Sequence, residues 1–386
     1  MDDILKRRIT TLIYDEYRKL KPSSKPVIKS NGTKEWTVLA GIIAWDHKTN
    51  TIQMICISTG VKALPNELLV RSNGKMLHDC HAEILSIRGL NAVILNHIKN
   101  LKEGGTSDLI NQIGDKYEWK KENKLILYIS RVPCGDASMD TIESQDDTSE
   151  SYEILDENKM QYLDERNNTI LRGRLNFSKK GVVRSKPGRY DSQITLSKSC
   201  SDKLCTKQVT SLLNCLTYEL LSKPLYLDYI LIPSLTRTDL IGLKRCFQDR
   251  LGGTSNEEQS HKPKKFKIEN CDEKFLDDKQ SKDETPSAMS SIKLYYDKSN
   301  VQEQAILNGV KNGSFTKGSK PLRKGCETAI SRYSQWNLYN QINPVQDKSY
   351  LQFKKEHKTR RTMVEYIRQK LSSDGWIKTL EDNCSI

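Results

Sequence analysis

Apolar positions recur along this chain in two rhythms, one helical and one extended. Residues 4–20 place Ile4, Ile9, Leu12, Ile13 and Tyr17 on roughly one face with charges between them, which predicts an opening amphipathic helix. Residues 36–45 (WTVLAGIIAW) and 51–58 (TIQMICIS) are β-rich runs on either side of the turn-forming 46–50, and they predict a hairpin. A polar, glycine-containing loop follows, and 82–98 returns to a helical pattern. Residues 125–130 and 226–232 are short, strongly apolar runs that read as strands, while 206–221 between them has the spacing of a helix. Strands alternating with helices predict an α/β fold with helices packed on a sheet.

Two stretches interrupt the rhythm. Residues 144–158 are acidic and serine-rich, and 252–291 are dominated by Lys, Glu, Asp, Ser and Gln. Both are expected to be flexible, exposed insertions that offer little to a core. Within the second, the 262–267 run (KPKKFK) could mimic a localisation signal, although a solvated loop is the plainer reading. From 292 to 386 apolar and aromatic periodicity returns, so this part should fold back onto the same body and make 1–386 a single domain. No internal repeat is visible.

Composition narrows the class. The 386 residues carry 62 Lys and Arg against 49 Asp and Glu, a formal net charge of +13, which favours a polyanionic partner through counterion release but also serves solubility. No apolar run approaches the length needed to cross a bilayer, and the charged N-terminal residues do not read as a secretory signal. The expected setting is intracellular, nucleus or cytoplasm, with the ten cysteines as thiols or metal ligands rather than disulfides.

The candidate chemistry lies in three short motifs. His81-Ala82-Glu83 enters a predicted helix, Pro133-Cys134-Gly135 follows a predicted strand, and Cys200 precedes another helix. A zinc deaminase needs one imidazole and two thiolates on the metal, a fourth position for water, and a carboxylate to move the water's proton. His81 and Cys134 supply two ligands and Glu83 the carboxylate. The common second cysteine of P-C-x-x-C is missing, because Ala137 stands there. Cys200 is the candidate replacement, since a thiolate near a helix N-terminus has a lowered pKa. Each residue alone reads as a turn, a surface histidine or a buried thiol; the joint pattern carries the assignment.

At these motifs the sequence resembles the adenosine deaminases acting on RNA, and most closely their tRNA-specific branch. The resemblance includes Glu35-Trp36-Thr37, Thr59-Gly60-Val61-Lys62, Leu77-His78-Asp79-Cys80-His81-Ala82-Glu83, Pro133 to Ser138 and Ser199-Cys200-Ser201-Asp202-Lys203. It implies a cytidine-deaminase-like three-layer α/β/α fold with a central mixed sheet and a C-terminal helical region, one catalytic zinc, and hydrolysis at C6 of adenine. Residues 184–189 resemble the tRNA branch where the mRNA-editing branch carries a base-flipping Gly-Glu-Gly, and the implied target is adenosine 37 beside the anticodon of alanine tRNA. Lys62, Arg184, Lys186 and Arg189 are then candidate RNA contacts. The resemblance also implies a buried inositol hexakisphosphate held by Arg88, Lys203, Arg332, Tyr350, Lys354, Trp376 and Lys378, with Asp79, Arg174 and Lys203 as a polar relay to the zinc cysteines. Ile87, His78 and Thr206 depart from the family pattern for this ligand. No membrane and no obligatory protein partner is expected. The competing readings are an mRNA or double-stranded-RNA adenosine deaminase, a free-nucleoside or cytidine deaminase, and a non-catalytic RNA-binding subunit.

Overall fold

The hairpin forms and becomes the middle of a larger sheet. Strand β1 (Leu39–Asp46) pairs antiparallel with β2 (Thr51–Thr59), the chain reversing through Asn50 at a left-handed φ of 53°. The strand starts later than the apolar run, because Glu35–Trp36 pairs instead with Thr285–Pro286. In this computed structural model the described residues are 1–144, 162–164, 167–174, 176–186, 192–193, 195–251, 264–318 and 320–386. The predicted 144–158 insertion, apart from Ser144, and the candidate RNA contact Arg189 lie outside them.

Two short strands, β3 (Val61–Ala63) and β4 (Asp79–His81), pair beside the main sheet. The sheet itself adds β5 (Asn123–Ile129), β6 (Tyr229–Pro233), β7 (Lys267–Cys271), β8 (Met289–Tyr295), β9 (Val301–Leu307) and β10 (Val310–Lys311). Its order is β7-β6-β5-β1-β2-β8-β9-β10, parallel across β5, β6 and β7 and antiparallel elsewhere. The expected mixed α/β architecture is therefore present.

Both faces are covered. Helix α1 (Asp3–Arg18) packs Leu5, Ile9, Ile13, Tyr14 and Tyr17 against Leu39, Ile43, Ile57, Ile126 and Leu231. The i, i+4 stripe through 5, 9, 13 and 17 sets the rotation, which turns the expected Ile4 outwards to 72% exposure. On the opposite face, α2 (Ala82–Lys102) lies against Ile42, Ala44, Ile55, Leu127 and Ile129. It is buried nearly all round, so its sequence is apolar rather than amphipathic. The same core takes in α3 (Cys200–Thr210), α4 (Cys215–Leu220), and aromatic residues of α6 (Arg332–Ile342) and α7 (Tyr350–Glu356), with α5 (Arg237–Lys244) beside it and α8 (Lys358–Leu371) closing the C-terminal region.

Two expectations are corrected. The predicted 206–221 helix is split: α3 begins at Cys200 and ends at Ser211, whose φ is 95°, and α4 restarts under an Asn214–Thr217 capping box. Buried Asn91 accepts from both the Asn214 N–H and the Thr217 hydroxyl, which stabilises the break. The 264–291 part of the second insertion is no solvated loop, since β7 lines the sheet edge and Phe275, 2% exposed, packs edge-on to Tyr17 at 4.8 Å. Few apolar residues mark this stretch; Cys271 and Phe275 pack on the α1 face, and Phe266 and Ile268 against the opposite core.

That correction has a measurable consequence. Phe275→Ala is expected to cost roughly 3–5 kcal/mol in urea unfolding, whereas Leu276→Ala, 75% exposed, should stay within about 0.5 kcal/mol. Equal, small effects would show that the segment contributes no core.

Candidate metal centre

Two helix N-termini and one strand end converge at the site. His81 closes β4 and is the N-cap of α2, so Glu83 falls in that helix's first turn. Cys134 follows β5, and Cys200 is the first residue of α3 behind a Ser199 N-cap. Donor atoms of His81, Cys134 and Cys200 all lie within 4.8 Å of one another, with Cys134 Sγ 3.7 Å from His81 Nδ1. All ten cysteines are free thiols, and within the described residues this is the one cluster with metal-ligand geometry.

Local packing fixes the two cysteine loops to each other. Ser201 N–H donates to Cys134 O at 3.0 Å, its hydroxyl donates to Pro133 O at 3.1 Å, and Ala137 N–H donates to that hydroxyl at 3.2 Å. Gly135 sits at φ 104°, and a Cβ there would come within 2.1 Å of Ser199 Oγ. Glycine is thus required by both the backbone and the close approach.

Electrostatics favour an anionic sulfur at Cys134. The thiols titrate together: Cys134 lies well below the usual thiol range because Cys200 donates a hydrogen bond to it, while His81 and Lys186 add positive charge. Burial holds Cys200 up, with Lys186 Nζ 3.2 Å from its sulfur. Glu83 is buried, its Oε2 has no hydrogen-bond partner, and burial pushes its carboxyl above the usual carboxylate value.

Lys186 is the main correction among the expected site residues. It was expected to face RNA; it is 2% exposed and donates to both Asp79 carboxylate oxygens at 2.8 and 2.7 Å. It is therefore a cation joining Asp79 to Cys200; Arg174, expected in the same relay, is half-buried in the turn after Asn167–Arg172. Lys203 and Ser197 complete the shell around Asp79. Burial would raise Asp79, but Lys186 and Lys203 hold it well below the usual range. Arg184, also expected at RNA, is wholly buried and donates to the carbonyls of Gly173, Asn176 and Lys179. Lys62 does remain exposed, on β3 opposite Cys80.

A second network went unforeseen. Each cysteine ligand is followed two residues later by a buried aspartate, Asp136 and Asp202. Arg250 donates to Asp202 at 2.8 Å and lies 3.8 Å from Asp136, which also pairs with Arg245 at 3.3 Å. Arg245 opens the π-turn Arg245–Asp249 that extends α5, and Arg250 caps its end. The repeated Cys-x-Asp spacing was the available signal.

Beyond Lys203 lies a group of close, buried cations. Burial, then Arg360 and Arg88, lowers Lys207 to about 7; burial, then Lys203, lowers Lys198 to about 7. Lys354 at the edge of the group is exposed at its surface, yet crowding by protein atoms, then Arg332, lowers it to about 8. Arg332 lies over the Tyr350 ring at 5.1 Å and Arg368 over Trp376 at 4.8 Å. Of the expected phosphate ligands, Arg88, Lys203, Arg332, Tyr350 and Lys354 share this region, and Trp376 borders it. Lys378, also expected there, is exposed. Lys198, Lys207, Arg360 and Arg368 were missed; the last two lie in the basic 353–370 stretch, which sequence alone leaves open between surface and core.

The comparisons agree with the geometry. The adenosine-deaminase (editase) domain profile matches residues 56–381. The tRNA-specific adenosine deaminase 1 of Saccharomyces cerevisiae is 47% identical over 99% of this chain and 95% of its own. The protein of that name in Schizosaccharomyces pombe is 32% identical over 96% and 94%. The double-stranded RNA-specific editase B2 of Rattus norvegicus is 26% identical over 64% of this chain and 32% of its own.

Two outcomes follow. Gly135→Ala should destabilise by roughly 2–4 kcal/mol in urea unfolding and lower bound metal; retained stability and metal would contradict the packing account. Lys198 and Lys207 titrate near 7 when folded and near 10.5 when unfolded, so the unfolded chain binds more protons between those values. Stability of the ligand-free protein should therefore rise from pH 7 to pH 8.5, below the ordinary thiol range; a falling urea midpoint would contradict the cation cluster.

Proposed function

The chain belongs to the adenosine-deaminase (editase) family, and from that premise we propose that it hydrolyses adenosine to inosine in tRNA with a zinc ion held by His81, Cys134 and Cys200. The observation that carries this reading is the donor triad within 4.8 Å beside the buried, unpartnered Glu83 Oε2. One imidazole nitrogen and two sulfurs fit a single tetrahedral zinc with one position left open. Such an ion would supply Lewis acidity for the activation of water.

The chain's own residues do the rest. Glu83 accepts a proton from the attacking water as its oxygen adds to C6, and delivers it to the ring nitrogen beside that carbon. It then assists proton transfer to the departing amine, so that C–N cleavage releases ammonia and leaves inosine. A carboxyl raised by burial suits a group that must both take and return a proton. Lys186 places a fixed positive charge at Cys200 Sγ, and Asp79 holds Lys186 there. A target base has to leave its stack to reach this site, at a cost of a few kcal/mol, and a single-stranded anticodon loop has met part of that cost.

Adenosine 37 of alanine tRNA is the proposed target, a choice that rests on the resemblance to the tRNA-specific branch. Lys62, exposed on β3, is placed for a phosphate contact. The cytidine-deaminase-like layering belongs to the same reading, supported by helices on both sheet faces.

The buried cations support an inositol hexakisphosphate, or a polyphosphate of similar charge, as a structural ligand. Among the described residues no carboxylate forms an ion pair with Arg88, Lys207, Lys354, Arg360 or Arg368. The Nε atoms of Arg360 and Arg368 and the Trp376 indole N–H are buried without a hydrogen-bond partner. Donors left in this way fit an anion with many acceptor oxygens.

Mass spectrometry of tRNA incubated with the protein should find inosine at one position, and free adenosine and cytidine should stay intact. Turnover of the free nucleosides alone would overturn the reading. Glu83→Gln should retain the metal and lose roughly 10³-fold or more in rate; surviving activity would remove Glu83 from the mechanism.

A further inference from the structure

With Arg184 and Lys186 buried, the tRNA needs another surface, and one lobe of the fold has the right chemistry. Residues 64–77 and 309–326 form a small body with its own core of Leu64, Leu69, Met76, Val310 and Cys326, joined by Phe315 and Leu322. It is tied directly to the catalytic strand: Leu77 N–H donates to Gly309 O at 2.8 Å, and Leu77 precedes His81 by no more than ~14 Å of extended chain.

A single arginine gives the irregular part of this lobe its shape. Arg71 donates to Thr316 O at 2.6 Å, Gly318 O at 2.9 Å and Lys320 O at 2.8 Å, and it lies over the Phe315 ring at 4.9 Å. Arg323 and Lys311 add bonds to Gly313 O and Gly325 O. The loop is thus held by side chain to backbone bonds rather than by a sheet ladder.

Its charge is one-sided. Between 309 and 326 stand Lys311, Lys317, Lys320, Arg323 and Lys324 and no carboxylate. Lys317, Lys320, Arg323 and Lys324 are exposed, and among the described residues none of them, nor Arg71 or Lys75, forms an ion pair. Several surface lysines elsewhere sit beside an acid, as in Lys48–Glu122 at 3.1 Å, Lys223–Glu118 at 2.6 Å and Lys348–Glu356 at 2.9 Å. Four unneutralised cations on a braced loop form a local positive field that a merely solvated face, with mixed signs, does not have.

We propose that 311–318 and 320–324 dock the phosphate backbone of the tRNA anticodon arm, away from the reacting nucleotide. The inference rests on the tRNA reading above and deepens it. Contacts of this kind set register and orientation without reading sequence, leaving base choice to the pocket around Glu83. Arg71 acts as a positioning residue, holding the loop so that its cations present one surface.

The test is tRNA binding by fluorescence anisotropy across a salt series, with inosine formation followed in parallel. Replacing Lys317, Lys320, Arg323 and Lys324 together by Gln should weaken binding about tenfold or more and reduce the log–log salt slope by about 3. The milder Lys317→Gln/Lys320→Gln pair should reduce it by about half as much, and Arg71→Ala should weaken binding in the same direction. Lys48→Gln with Lys348→Gln is the control and should leave the slope unchanged. An unaltered Kd and slope in both lobe variants would overturn the inference. If the wild-type protein binds tRNA with this dependence but forms no inosine, the docking surface stands and the proposed activity falls. If inosine forms and the lobe variants match wild type, the reverse holds.

Discussion

The pairing of Lys186 with Asp79 on one side and the Cys200 sulfur on the other is the interaction on which the site depends. A lone ammonium at this depth would lose its proton, and a lone thiolate would gain one. Beside Asp79 the Lys186 ammonium stays charged, its Nζ 2.7 Å from Asp79 and 3.2 Å from Cys200 Sγ, where it lowers the cost of placing charge on that sulfur. The pair also joins three distant parts of the chain: the strand that ends at His81, the segment around Lys186, and the helix that starts at Cys200. A second clamp acts at the two cysteine loops, where Arg250 reaches both Asp136 and Asp202. Ligand geometry is therefore set by buried ion pairs beneath the donors, and the donors themselves need few direct constraints.

Charge alternates outward from this centre. Sulfur meets Lys186, Lys186 meets Asp79, and Asp79 meets Lys203. Beyond Lys203 the alternation stops, and Lys207, Arg88, Arg360 and Arg368 follow, none of them in an ion pair with a carboxylate among the described residues. Cations gathered in this way repel one another, and an anion such as the proposed polyphosphate would offset that cost. The catalytic ligands and the proposed polyphosphate thus belong to one electrostatic arrangement, linked through Asp79 and Lys203.

The candidate metal ligands and carboxylate were legible in the sequence because the proposed chemistry dictates local motifs. A histidine and glutamate entering a helix, a cysteine after a strand and a second cysteine at a helix start are short-range patterns, and the structure brings them together. Burial of charge was not legible. Arg184 and Lys186 stand in a basic stretch that reads as surface, and it is chiefly Asp79, more than a hundred positions away, that makes the Lys186 ammonium tolerable inside. The sheet was readable where alternation was strong, as in β1 and β2. It was missed at β7, whose residues Lys267 to Cys271 are largely polar because this edge strand is buried mainly at Cys271. The break in 206–221 escaped notice for a related reason: Asn91, on another helix, stabilises the second cap.

The whole account requires a metal bound by one nitrogen and two sulfurs at the convergence of the two helix N-termini. X-ray absorption at the zinc edge of the purified protein measures that shell directly. The expected spectrum has two sulfur scatterers at about 2.3 Å and a nitrogen at about 2.0 Å, with a light-atom ligand in the remaining position. A shell of nitrogen and oxygen alone, or four sulfurs, would contradict the assignment of His81, Cys134 and Cys200.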